Sequence, residues 1–387
     1  MKFYVYVLAL LWSVSGQAQT PRVEILWQWY QQGYYILNPT IAHSNAEVAF
    51  VRRLSGKDST VQASSFFRGV FKNYLSAGTS DRFFDPVICI LDKNKKLTLI
   101  DYGWDPAYSK DDKKIAYAYQ VKTLKKGDPL YAEAYQGNEI KVFDKSAQHA
   151  EAVAKPLSNN YLMDPFFLDS MKVVYKIGTK VNGPYGAGIS FNQVDLQTKK
   201  TSIIRLPGIK YRLYELMGEA YLINNQLAYT LYSPTDTGRG MANEYLHLLL
   251  TEKDTLQDFG IRRFTLLDNK IGFNDKNEII FLDDELLLPE DTVYVQTYKD
   301  NRLIRRTPLQ HNYVKSYLSP NGTYMVYITE GKEAFLLNLI TMRRAKINIP
   351  EREIYTIVWA KDSQRLAIVQ EHESLVGTDI LHLLQIR

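Results

Sequence analysis

Seven times along this 387-residue sequence, a short polar turn gives way to the same kind of triplet: an apolar residue, a small or aliphatic one, and usually an aromatic. The copies are Val48-Ala49-Phe50, Ile115-Ala116-Tyr117, Val173-Val174-Tyr175, Leu227-Ala228-Tyr229, Ile279-Ile280-Phe281, Met325-Val326-Tyr327 and Leu366-Ala367-Ile368, the last without its aromatic. The preceding turns ("SNAE", "KDDKK", "DSMK", "NNQ", "NDKNE", "SPNGT", "KDSQR") are rich in Asn, Asp, Ser and Gly. Asn, Asp and Ser side chains bond to nearby backbone, and Asn, Asp and Gly tolerate positive φ. Successive copies start 67, 58, 54, 52, 46 and 41 residues apart. A period of about 50 residues is long for a horseshoe or helical solenoid and fits a four-stranded propeller blade with loop insertions.

The rest of each unit supplies two more strands. "PVICILD" turns at "KNKK" into "LTLID", and "ISFNQVDL" turns at "QTKK" into "TSIIRL", both in the manner of hairpins. Long helical periodicity is nearly absent, and "VEILWQWYQQGYYIL" alternates as strands do. The expected fold is therefore all-β: a single seven-bladed β-propeller of four-stranded antiparallel blades. The last unit offers only three strands ("YTIVWA", "RLAIVQ", "DILHLLQIR"), while "RVEILWQWY" from Arg22 to Tyr30 precedes the first unit without a partner. Open strand edges invite aggregation and closure removes them, so residues 22–30 are expected to complete the last blade.

The stretch "SPNGTYMVYI" at Ser319 to Ile328 resembles the Ser-Pro-Asp-Gly-Lys turn and following strand of the TolB-like, WD-type β-propeller repeat family. "SKDDKKIAYAY" and "AKDSQRLAIV" are similar more loosely, with Lys where the family usually has Pro, and without Gly. The resemblance covers roughly residues 34 to 387 and is sharpest in the second, sixth and seventh units. It implies an exported or periplasmic propeller of a family that often has six blades, where seven units are counted here.

Export is also expected from the first residues. Lys2, the apolar run from Phe3 to Val14 and the small residues Gly16 and Ala18 around Gln17 make a secretory signal peptide. The expected organisation is a signal peptide over 1–18 and a propeller over 19–387, periplasmic or secreted. Cys89 is the only cysteine, which excludes a disulfide framework and cysteine-based zinc or redox chemistry. In an alternating apolar run, it reads as a buried small hydrophobe. A net charge of +5 from 47 basic and 42 acidic residues is scattered, so no nucleic-acid partner is expected.

In a propeller, the loops joining second to third strands share one rim with the loops joining blades. The longest of these segments follow the first four triplets, and long loops on a rigid scaffold are where binding usually lives. "SSFFRGVFKNYLSAGTSDRFFDP" mixes Phe with Arg68 and Lys72. Such a mixture suits an anionic glycan or a protein partner, and equally suits packing of the loop onto the blades. The candidate ligand-binding residues are Trp104 and Asp105 in "GWDP", Asp164 in "LMDP", Tyr185 in "NGPYGAG", Arg239 in "DTGRG", and His311 and His372. Asp before Pro is first of all a turn device, and the two Asp residues are placed in inter-blade loops near the channel mouth. His43 falls in a first-hairpin turn, on the opposite rim.

No Gly-x-Ser-x-Gly elbow, phosphate loop or EF-hand is present, so no catalytic residue is assigned and no cofactor or metal is expected. The expected function is that of a monomeric scaffold binding a protein partner or a cell-envelope glycan, with no integral membrane contact after signal cleavage. The alternative is a carbohydrate-active enzyme, a polysaccharide lyase or glycoside hydrolase, with His311, His372 and the Asp-Pro carboxylates in an axial pocket.

Overall fold

The computed structural model describes residues 20–44, 46–54, 86–119, 139–156, 160–179, 188–204, 216–223, 226–234, 242–250, 255–263, 271–276, 278–283, 293–300, 302–309, 314–375 and 377–387. The signal peptide expected over 1–18 and most of the long second-to-third-strand segments lie outside them. Among the described residues there is no helix. The strands pair into four-stranded antiparallel sheets, each following chain order.

The first sheet is β2 (Tyr34–Ile41), β3 (Val48–Leu54), β4 (Pro86–Leu91) and β5 (Leu97–Tyr102). The second is β6 (Trp104–Tyr108), β7 (Lys114–Tyr119), β8 (Glu139–Asp144) and β9 (His149–Ala154), and the third is β10 (Asn160–Phe167), β11 (Lys172–Thr179), β12 (Gly188–Asp195) and β13 (Thr201–Ile203). The next, β14 (Leu216–Ile223), β15 (Gln226–Pro234), β16 (Ala242–Leu250) and β17 (Thr255–Arg263), is described by its backbone pairing alone. Two further sheets are β18 (Ile271–Phe273) to β21 (Arg302–Leu309) and β22 (Lys315–Leu318) to β25 (Arg344–Lys346), through β19 (Ile279–Asp283), β20 (Val293–Lys299), β23 (Tyr324–Ile328) and β24 (Ala334–Asn338).

The last sheet contains β26 (Ile354–Trp359), β27 (Arg365–Glu371) and β28 (Asp379–Ile386), and its fourth strand is β1 (Val23–Tyr30) from the other end of the chain. Val23 lies opposite Ile386, Ile25 opposite Leu384 and Trp27 opposite Leu383. The seam extends to reciprocal backbone bonds between Arg22 and Arg387, 3.0 and 2.9 Å. Immediately afterwards the chain is tied down again, where Gly33 N donates to Thr378 Oγ1 at 3.0 Å and Ile36 N to the buried Asp379 carboxylate at 2.8 Å. The last sheet thus packs on the first, and shared cores also join the first three sheets and the last three, as in a β-propeller.

This packing explains the triplet. It lies on the second strand of each sheet, which is covered on both faces and therefore runs apolar rather than alternating. In the described sheets all its members are buried. Along a strand, successive side chains face opposite ways. Val48 and Phe50 accordingly share one core cluster with Ala367 of the last sheet, while Ala49 shares another with Tyr117 of the second. The small middle residue of one sheet makes room for the aromatic of the next. The fourth strands β13 and β25 are short and largely exposed, which keeps the outer edges poor templates for pairing.

Three of the turns that introduce the triplets share one hydrogen-bond pattern. Ser109 N, Ser319 N and Ala360 N each donate to the carbonyl five residues on (2.9, 2.8 and 2.8 Å). The fourth turn residue donates back to the first: Asp112 to Ser109, Gly322 to Ser319, Ser363 to Ala360, at 2.9, 2.8 and 2.9 Å. That fourth residue is left-handed in all three, with φ of 57, 66 and 58°. Gly322 meets the backbone preference directly and also a spatial one, since a Cβ there would sit 2.7 Å from the Ile280 side chain.

Where glycine is missing, the side chain at this position bridges to a neighbouring sheet. The Asp112 carboxylate accepts from His43 N (2.6 Å), His43 Nδ1 (2.9 Å), Ser44 N (2.6 Å) and Ser44 Oγ, all in the first sheet's turn. Those bonds hold Asp112 well below the usual carboxylate range against the opposing effect of burial. Ser363 Oγ accepts from Asn321 N at 3.0 Å, and Arg365 Nη2 donates to the His43 carbonyl.

Candidate functional site

First strands of neighbouring sheets meet, β2 with β6 and β26 and β6 with β10, which puts them toward the centre, while the fourth strands β13 and β25 are largely exposed. Along three consecutive first strands the same local event occurs. Pairing register shifts between Leu37 and Thr40 in β2, between Trp104 and Ala107 in β6, and between Met163 and Phe166 in β10. Each bulge holds an Asx-Pro pair: Asn38-Pro39, Asp105-Pro106, Asp164-Pro165. Proline cannot donate to a ladder, so a bulge is where a strand tolerates it. The residue before each proline is left-handed, φ 47, 53 and 46°. Asn and Asp populate this region more readily than other non-glycine residues. Asp105 and Asp164 therefore sit inside strands, and not in the inter-blade loops expected from sequence, because the proline is absorbed by a bulge instead of ending the strand.

The three side chains converge. Asn38 Nδ2 donates to Asp105 Oδ1, and the Asp164 carboxyl lies close enough to Asp105 to raise it. Lys176, from β11, donates to Asp164 Oδ2 at 2.6 Å. The ammonium is nearly covered while the Asp164 side chain is 42% exposed, so the group opens onto solvent from one side. Desolvation by the surrounding sheets, then the charge of Asp164, push the Asp105 carboxyl up to about 8. The Asn38 amide and Lys176 oppose this without reversing it. A raised carboxyl is what two acidic groups on one site produce, and Lys176 supplies the counter-charge on the Asp164 side.

The other sequence candidates do not join this group. Trp104, next to Asp105, is 8% exposed and packs in the core between the first three sheets. His372 lies between β27 and β28, where Nδ1 accepts from Ser374 N and Leu375 N (both 3.2 Å) and the ring packs edge-on against Tyr30 of β1 at 4.4 Å. Tyr185, Arg239 and His311 lie outside the described residues. Sequence reasoning missed Asn38 and Lys176. The available signal for Asn38 was its position, since Asn38, Asp105 and Asp164 each stand four residues before the start of a first-hairpin turn at Ala42, Ser109 and Leu168.

The sequence matches no protein-family model and no curated protein sequence. Solved structures do match in fold. An oligogalacturonate lyase in complex with manganese is 11% identical, with a TM-score of 0.54, over 96% of this chain and 94% of that one. The β-propeller domain of the trilobed protease from Pyrococcus furiosus, described as having an open velcro topology, is also 11% identical, with a TM-score of 0.56 over 92% and 94%. An acylaminoacyl peptidase from Pyrococcus horikoshii is 12% identical, with a TM-score of 0.56, over 87% of this chain and 49% of that one. At these identities the likeness is one of fold alone: a β-propeller. Lys176 already occupies Asp164 Oδ2 in this group. Among the described residues no three His, Cys, Asp or Glu side chains are grouped to hold a metal.

Proposed function

We propose that this chain is an exported, seven-bladed propeller of the TolB-like kind. It acts as a monomeric binding protein of the periplasm or extracellular space, and its ligand is a hydroxyl-rich envelope glycan. The observation that carries the reading is the convergence of Asn38, Asp105, Asp164 and Lys176 on one half-open face of three consecutive first strands. An amide, a protonated carboxyl, a carboxylate and an ammonium together offer the mixed donors and acceptors that sugar hydroxyls take. In the same sheets the chain runs long between second and third strands, over 55–85, 120–138 and 180–187, and long connections on a rigid scaffold are where binding usually lives. Seven blades are supported by the strand order and by the β1–β28 seam, and export by the residues before Ala18.

A second reading rests on the carboxyl pair itself. Turnover of a bound glycan is the alternative outcome, and it requires the two carboxyls to separate around the substrate, since glycosidic cleavage uses an acid and a base about 5–9.5 Å apart. The test is a glycan array and envelope-fraction pull-down with the mature protein, run beside Asp164→Ala, Lys176→Met and His372→Asn. Binding lost in the first two and kept in the third supports the axial site. Glycan capture unaffected by either axial variant, or capture of a protein only, overturns it. Appearance of cleaved product moves the assignment to the enzyme.

A further inference from the structure

The turns joining third to fourth strands share one design in the second sheet, the third sheet and the β22–β25 sheet. Each begins with a residue whose side-chain oxygen accepts from the backbone two and three positions on. Asp144 takes Ser146 N and Ala147 N at 2.8 and 3.0 Å, and Asp195 takes Gln197 N and Thr198 N at 3.0 and 2.8 Å. Asn338 takes Ile340 N and Thr341 N at 2.9 and 3.0 Å. The fifth residue is left-handed in all three: Gln148, Lys199 and Met342, with φ of 51, 58 and 56°.

One backbone thus carries three different tips. Two are polar at their third and fifth residues, with Ser146 and Gln148 or Gln197 and Lys199. The third has Ile340, 72% exposed, and Met342, 44% exposed. The fold does not ask for either, since the core contact of this turn is made by the buried Leu339. Asn338 also stands where the other two have Asp, so the same bonds form without a negative charge. No acidic residue occurs between Ala334 and Pro350, while the exposed Arg343 and Arg344 follow directly. Leu339 N donates to Thr323 O at 2.9 Å, which sets the tip beside the first-hairpin turn, on the rim opposite the long segments. In the sheet packed against this one, β21 repeats the chemistry as it leaves its own third-to-fourth turn. Arg302, Leu303, Ile304 and Arg305 are all exposed, and the pairing jumps from Arg305 to Leu303 so that Ile304 has no opposite residue.

We propose that this rim docks peripherally on a bilayer surface carrying anionic lipid, with Ile340 and Met342 entering the headgroup boundary and Arg343 and Arg344 meeting lipid phosphates. Shallow membrane contact strengthens with buried apolar area and with attraction to anionic headgroups, and an apolar tip with adjoining arginines supplies both. Arginine stems lie along apolar surroundings while the guanidinium stays at the polar level. A specific protein interface covers about 800 Å² on each partner, far more than two side chains on one turn provide. The start of β21 adds a second contact of the same kind on the same rim. The surface is at the opposite end of the axis from the long segments and does not depend on the glycan reading.

The probes are sedimentable vesicles of phosphatidylcholine alone, or of phosphatidylcholine mixed with phosphatidylglycerol, added to the full mature protein. The protein is expected to sediment with the mixed vesicles only, and to leave them as salt is raised. Ile340→Ser combined with Met342→Gln copies Ser146 and Gln148 onto the same backbone conformation, so the melting temperature should hold. That double variant should bind the mixed vesicles at least about tenfold more weakly. Arg343→Gln and Arg344→Gln should each weaken binding about fivefold. Val314→Ser removes a side chain that is 60% exposed, just before β22 on the opposite rim, and should leave binding unchanged. Equal binding to both vesicle types, binding to neither, or binding unaltered in the Ile340 and Met342 double variant overturns the proposal. So does capture of an envelope protein at this tip while the vesicles are ignored.

Discussion

Replacing Asp112 by Asn tests whether the glycine-less turns hold the sheets together. The carboxylate accepts four hydrogen bonds from a neighbouring sheet, two on each oxygen, and the residue is only 5% exposed. An amide keeps one acceptor oxygen, so at best two of the four bonds survive, and the new NH2 group faces two donors. A hydrogen bond to a charged acceptor contributes about 1.5–3 kcal/mol, and a buried donor left unsatisfied carries its desolvation cost as well. The expected loss is about 3–5 kcal/mol, a large share of a typical domain's stability. Urea unfolding at neutral pH should show a lower midpoint with an unchanged slope.

The control is Asp144→Asn, whose carboxylate serves Ser146 and Ala147 within its own hairpin and should cost about 1 kcal/mol or less. The pH dependence has a definite sign. Because the folded state depresses the Asp112 carboxyl, its contribution is complete above the unfolded carboxylate range and is lost as pH falls below it. Wild type and Asp112→Asn should therefore converge in acid. A variant no less stable than the control, or a difference that persists unchanged in acid, would refute the reasoning.

Three further outcomes follow from buried groups. Arg52 is 1% exposed, with Nη1 on Tyr34 Oη at 2.7 Å but Nε and Nη2 unpaired, so Arg52→Met is expected to be neutral or to stabilise by about 1–4 kcal/mol; a loss of more than about 2 kcal/mol in thermal or urea unfolding would count against this. His382 is fully buried, donates Nε2–H to Gln370 Oε1 at 3.2 Å and is pushed down to about 4 by desolvation. The unfolded state therefore takes up this proton first, and stability should fall from about pH 6.5 toward 4, a decline that His382→Gln should remove from an unfolding series over that range. Gly322→Ala combines left-handed strain with a 2.7 Å approach to Ile280 and should cost about 2 kcal/mol or more, whereas Gly331→Ala, in open surroundings, should stay within about 1 kcal/mol of wild type.

Much of the architecture was legible because it rests on local signals. The triplet marks the doubly covered second strand, and the unmatched strand at Arg22–Tyr30 pointed to the seam with β28. The axial site was only half legible. "WDP" and "MDP" stood out, but Pro implied a loop, and nothing in a single unit reveals that a bulge keeps the strand intact. Asn38 needed comparison across units, and Lys176 follows directly on Val173-Val174-Tyr175, inside what reads as core. Spacing along the chain does not show which residues of separate sheets meet, and the axial group is assembled from three sheets.

The central claim is that Asp105 and Asp164 meet at one site on the propeller axis, and carboxyl-carbon NMR of the mature protein across a pH series tests it most directly. The account predicts one aspartate signal that keeps its proton to about pH 8 and falls toward the ordinary carboxylate range in Asp164→Asn. Every aspartate titrating in that ordinary range in the wild type would contradict it.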